Sequence, residues 1–201
     1  MLHEIGVAQV DQFVVQRAHL SKKTIANLLT LLGSMLTVAK DLGWLAESPR
    51  IRKPRIQIFS SDFSYLRSDE EVQRFLAAAR AEPGMVFDFY AVAVYTGMRA
   101  GELAGLHWGD VSLEQRLITV QRSFLGPTKA GDARHVPILD PVLPVLRDRR
   151  LSIGGRLVFP NEANQMLDQS ARIFQETFHR VLKRAAFPMI ERDGKLRRYI
   201  R

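Results

Sequence analysis

The sequence predicts a mainly α-helical protein carrying a small antiparallel β-sheet, an α+β architecture. Three observations point there. Apolar residues recur at helical spacing in 22–42 and 169–186, serine caps precede two helical stretches, and two short β-branched runs flank a turn rich in Gly and Pro.

Taken in order, residues 1–47 form a helical segment. Val7, Val10, Phe13 and Val14 mark a first helix. Ser21 caps a second from Lys22 to about Leu42, with Ile25, Leu28, Leu29, Leu32, Leu36 and Ala39 as its inner stripe. Gly43 ends it, and Trp44 and Leu45 are expected to fold back. Residues 48–64 form a basic interdomain linker. Pro49 and Pro54 oppose helix there, and Arg50, Arg52, Lys53 and Arg55 are candidate phosphate contacts.

A second domain spans 65–201. Ser68 and Glu71 form a capping box for a helix through Val72, Phe75, Leu76 and Ala79, which breaks at Pro83-Gly84. Val86 to Tyr95 is an apolar helix, and 99–106 a short one. Leu117–Val120 and Arg134–Leu139 are strands, with Gly126 to Asp132 as the turn between them. Asp140-Pro141 opens a helix reaching about Arg150. Leu157 to Pro160 is a short apolar stop. A last helix covers roughly Gln169 to Ala186, with Ile173, Phe174, Phe178, Val181 and Leu182 inward. Arg197 and Arg198 lie in the basic terminal run and are further candidate DNA contacts.

The 201 residues are 46% apolar, enough for a real core, and no run approaches a membrane span. With no cysteine, a disulfide scaffold, a thiolate zinc site and a cysteine nucleophile are excluded. His3, His19, His107, His135 and His179 show no metal-ligand spacing. The net charge of +8 favours a polyanionic partner; a basic protein with no such partner is the plainer alternative.

The densest chemistry lies in Thr96-Gly97-Met98-Arg99-Ala100-Gly101-Glu102-Leu103 and, about thirty residues later, Pro127-Thr128-Lys129-Ala130-Gly131. Arg99 and Glu102 are spaced one helical turn apart. A guanidinium presents a rigid fork to phosphate oxygens, and a carboxylate beside it holds the fork in place. On spacing alone the pair is also compatible with an ordinary surface ion pair, worth about 0.2–0.5 kcal/mol. Lys129, in a glycine-flanked turn, is by itself compatible with a solvated lysine.

Together these segments resemble the tyrosine recombinase (phage integrase) family. The first is similar to its T-G-x-R-x-x-E-L motif, and Leu106-His107-Trp108-Gly109-Asp110-Val111 to the continuation of that motif. Lys129 with His135-Val136-Pro137-Ile138 resembles its hairpin lysine and following strand, and Val158-Phe159-Pro160 a further short element. Ser21 to Pro49 resembles the end of the family's core-binding domain, of which about half precedes the linker.

The resemblance implies a two-domain clamp on double-stranded DNA. Arg99 would bind the scissile phosphate, Glu102 would support Arg99, and Lys129 would protonate the leaving 5′-oxygen. A tyrosine nucleophile would form a 3′-phosphotyrosyl link. The family needs no metal or nucleotide, so no cofactor is expected, nor a small-molecule substrate or a membrane. Other recombinase protomers would assemble with the parent on DNA, in a bacterial or phage-encoded, cytoplasmic and nucleoid-associated setting.

The family's H-x-x-R box would begin about where Tyr199-Ile200-Arg201 stands, with its third box and tyrosine further on. Tyr65, Tyr90, Tyr95 and Tyr199 do not match the nucleophile. The expectation is therefore a fragment that binds DNA without cleaving it. The alternatives are a degenerate, non-catalytic DNA-binding remnant and a protein-interaction module.

Overall fold

The structure, a computed structural model, describes residues 4–55, 65–127, 131–192 and 195–198. The chain divides into two compact units, Met1–Phe63 and Ser64–Arg201.

In the first unit, α1 (Val7–Gln16) and α2 (Lys22–Asp41) pack through Val10, Ile25 and Leu29. Ser21 Oγ accepts the Thr24 N–H at 3.1 Å, which fixes the start of α2. At its end Gly43 adopts φ +74°, and the N–H groups of Gly43 and Trp44 donate to the carbonyls of Lys40 and Ala39. That glycine-dependent cap turns Leu45 into a second cluster with Leu36 and Ala39. Trp44 does not follow it: the cap leaves its ring 65% exposed. Ile51 packs on both clusters, so it anchors the segment after α2 while Arg50, Arg52, Lys53 and Arg55 stay exposed.

The second unit starts with α3 (Asp69–Arg80) and α4 (Val86–Thr96). Ser68 Oγ accepts the Glu71 N–H at 3.3 Å as the capping pattern requires. The reciprocal bond comes from the N–H of Arg67 at 2.7 Å, one residue earlier than the simple box places it. Next come α5 (Ala100–Ala104) and a 3₁₀ turn at Trp108–Asp110. The strands are β1 (Val111–Ser112), β2 (Leu117–Val120), β3 (Arg122–Ser123), β4 (Gly126–Pro127) and β5 (Arg134–Pro137).

The main sheet is antiparallel in the order β1-β2-β5, and β3 and β4 form a separate small hairpin. Ile118 pairs with Val136 and Val120 with Arg134. Ile118, Val120 and Val136 are buried, so that face of the sheet looks into the core, and Arg134 shares it.

Helix α6 runs Leu143–Ser152 and α7 Arg172–Arg184. The expected start at Pro141 is corrected by two residues. Leu139 accepts the N–H groups of both Val142 and Leu143 in a preceding turn, and Pro144 occupies an early helical position instead. Ile173 is also corrected: it stands one residue off the Phe174, Phe178, Val181 and Leu182 stripe and is 69% exposed. Past α7, β6 (Met189–Arg192) and β7 (Lys195–Arg198) form a hairpin that the terminal charge run concealed.

An edge-to-face aromatic net binds the helices. Phe75 and Tyr90 lie 5.3 Å apart, Phe89 and Phe159 5.3 Å, and Phe89 and Phe174 5.5 Å. At the rim, buried Glu82 pairs with Arg180 and Arg184 and ties the end of α3 to α7. No helix among the described residues is long and apolar enough to cross a membrane.

Candidate phosphate-binding site

Three residues place Arg99. Gly97 takes the left-handed conformation (φ +63°) that stops α4. Thr96 Oγ1 donates to the Val92 carbonyl at 2.5 Å and accepts the Met98 N–H at 3.3 Å. Met98 is buried, which anchors the turn and leaves Arg99 projecting at the N-cap of α5. Arg99 therefore stands at the mouth of the helix, in extended conformation (φ −67°, ψ 149°), rather than on its face.

Glu102, at the third helical position, is 2% exposed. Its Oε2 accepts the Arg99 backbone N–H at 2.8 Å, and its Oε1 accepts Arg99 Nη1 at 2.8 Å. Arg134 completes the arrangement from β5, with Nη1 on Oε1 at 2.8 Å and Nη2 on Oε2 at 2.6 Å. Each carboxylate oxygen thus takes two donors. The hydrogen bond from Arg134 leads the causes that hold the Glu102 carboxyl at about 2; burial opposes it and the Arg99 bonds reinforce it. One anion lies between two cations, so the group carries a net positive charge. The Arg99 side chain remains 63% exposed and Arg134 40%. A partly solvated guanidinium, braced from behind and carrying uncompensated charge, is suited to an oxyanion such as a phosphodiester.

Glycines let this helix approach its neighbour. A Cβ on Gly105 would stand 2.8 Å from the backbone C and O of Ser123, and one on Gly101 2.6 Å from Ser123 Oγ. Helix α5 therefore lies directly against β3. The next residue along, Arg122, donates to Asp110 and has Nη1 2.7 Å from His107 Nδ1. An arginine can only donate, so Nδ1 accepts and the imidazole proton sits on Nε2. Burial lowers the His107 pKa, Arg122 and Arg156 push it further down, and Asp110 opposes them. His107 is therefore a buried neutral brace, whereas His135 is exposed, with Nδ1 3.2 Å from Thr119 Oγ1.

The structure brings Arg99 and Glu102 together. Lys129 lies outside the described residues, as do Tyr199, Ile200 and Arg201. Arg197 and Arg198 are on β7, in register with Ile190 and Met189. Arg134 was missed as a site residue. The signal was its phase: it alternates with Val136 and Ile138, and an arginine in the inward register of a strand calls for a buried anion. No group of His, Asp or Glu able to hold a metal occurs among the described residues.

Fold and site together describe an α+β domain that presents a partly exposed, net-positive arginine cluster. Residues 65–191 match the phage integrase family, and the chain belongs to it. Prophage integrase IntR of Escherichia coli K12 is 32% identical over 133 residues, covering 63% of this chain and 31% of that protein. A XerC-like tyrosine recombinase of Caldanaerobacter subterraneus is 26% identical over 208 residues, covering 84% and 52%. Among solved structures, the integrase of transposon Tn1549, in complex with a circular-intermediate DNA, superposes with a TM-score of 0.73. That match is 16% identical and covers 90% of this chain and 65% of the other. The chain spans only part of the length of these relatives.

Proposed function

We propose that this chain is the DNA-holding part of a site-specific DNA recombinase, with the first half of its active site. The observation that carries the reading is the exposed Arg99 fork, fixed by buried Glu102 within the family-matched region. Arg99 binds the scissile phosphate and stabilises the charge that builds on it as phosphorus is attacked. Glu102 keeps the guanidinium from swinging away. Lys129, which follows Arg99 in the order of the family's motifs, protonates the departing 5′-oxygen.

Arg50, Arg52, Lys53 and Arg55, exposed around the anchored Ile51, and Arg197 and Arg198 on β7 contact DNA phosphates. The first unit serves as part of the core-binding domain and the second as part of the catalytic one. Sequence-specific strand exchange belongs to the longer protein, in which further protomers assemble on DNA in a cytoplasmic setting. The 201 residues contain no H-x-x-R sequence. They are accordingly assigned binding without cleavage.

The test is to incubate the chain with nicked duplex DNA and run native and denaturing gels. A mobility shift that disappears in SDS is expected. Absence of any shift at low salt would remove the DNA-holding role. An SDS-resistant adduct would show that these residues supply a nucleophile and overturn the division of labour.

A further inference from the structure

Arg134 poses a question that the recombinase reading leaves open. Arg134 supplies two of the four donors that buried Glu102 needs, and it also acts on Arg99. Its effect on Arg99 is more consequential. A carboxylate has about four acceptor positions. Arg134 takes two, one on each oxygen, and the Arg99 backbone N–H takes a third. One remains for the Arg99 side chain, filled by Nη1. Arg99 therefore cannot close a two-pronged pair with Glu102, and no other hydrogen bond of its guanidinium occurs among the described residues.

Charge gives the same result. Arg99 and Glu102 alone would be a neutral pair, with little net attraction for a phosphate. With Arg134 present, the group retains one positive charge beside the exposed Arg99 edge. Arg134 is held by its register on β5, opposite Val120.

We infer that Arg134 is a positioning residue: its charge cancels that of Glu102 and its fork blocks the second prong, so Arg99 keeps a full positive charge and a free edge for a DNA phosphate. This rests on the reading of Arg99 as a phosphate ligand.

The experiment measures binding of the 201-residue chain to a short duplex DNA across a salt series. Each phosphate neutralised contributes roughly 0.9 to the fall of log K with log salt. Arg99→Ala and Arg134→Gln should each lower that slope by roughly 0.9. Glu102→Gln combined with Arg134→Gln should restore the wild-type slope, because Arg99 is no longer cancelled. A merely structural Arg134 would show no such rescue.

Arg134→Lys retains the charge but not the fork, so it should keep the wild-type slope while weakening binding. A lowered slope in that variant, with a cooperative melt, would overturn charge cancellation. A wild-type slope in Arg134→Gln beside a lowered one in Arg99→Ala overturns this inference alone, as does failure of the double variant to recover. A wild-type slope in Arg99→Ala overturns the phosphate reading itself, and this inference with it.

Discussion

Glu102 shows how one buried charge can organise a site. A carboxylate at 2% exposure is costly unless it is fully hydrogen-bonded, and its four donors meet that demand. Its pKa falls from 4.5 to about 2 on folding, led by the Arg134 hydrogen bond. At about 1.4 kcal/mol per pH unit, the ionised form contributes about 3 kcal/mol of stability. A lowered carboxyl pKa stabilises the fold above the unfolded value, and that contribution is lost as pH falls from 4.5 towards about 2. Urea melts at pH 7 and pH 3 should therefore show wild type losing more stability than Glu102→Gln. Equal losses in both proteins would mean that Glu102 is not clamped as described.

Helix α5 and strand β3 form the element on which the site depends, and glycines set their spacing. At Gly105 a methyl group would meet immovable backbone, whereas at Gly101 it would meet a serine hydroxyl that can rotate. Gly105→Ala should cost about 1–3 kcal/mol, as overpacking does, and Gly101→Ala distinctly less. Thermal melts of the two variants check this ranking; equal costs would contradict the close approach. How legible these elements were follows from range. Caps at Ser21, Ser68 and Gly43, and stripes such as Phe174-Phe178-Val181, are written within a few residues of where they act. The Arg99–Glu102 pair is equally local. Arg134 reaches Glu102 across 32 positions, and the Gly105–Ser123 approach spans 18, so neither has a spacing to read. Ile173 was misplaced because a helical window does not reveal which residue of its first turn faces in. The β6–β7 hairpin was hidden because its residues are mostly charged.

At the scale of the whole molecule, the net charge of +8 and the exposed arginines around Ile51 give the account its main physical consequence. Phosphate-driven association releases condensed counterions, so affinity has to weaken with salt in proportion to the number of phosphates touched. An interaction module with incidental basicity has no such obligation. The measurement that separates them is fluorescence anisotropy of a labelled duplex DNA titrated with this chain across a salt series. A linear fall of log K with log salt, spanning several phosphates at roughly 0.9 each and shallower by about one phosphate in Arg99→Ala, is expected. A flat salt dependence, or no binding even at low salt, would contradict the assignment of this chain as the DNA-holding part of a recombinase.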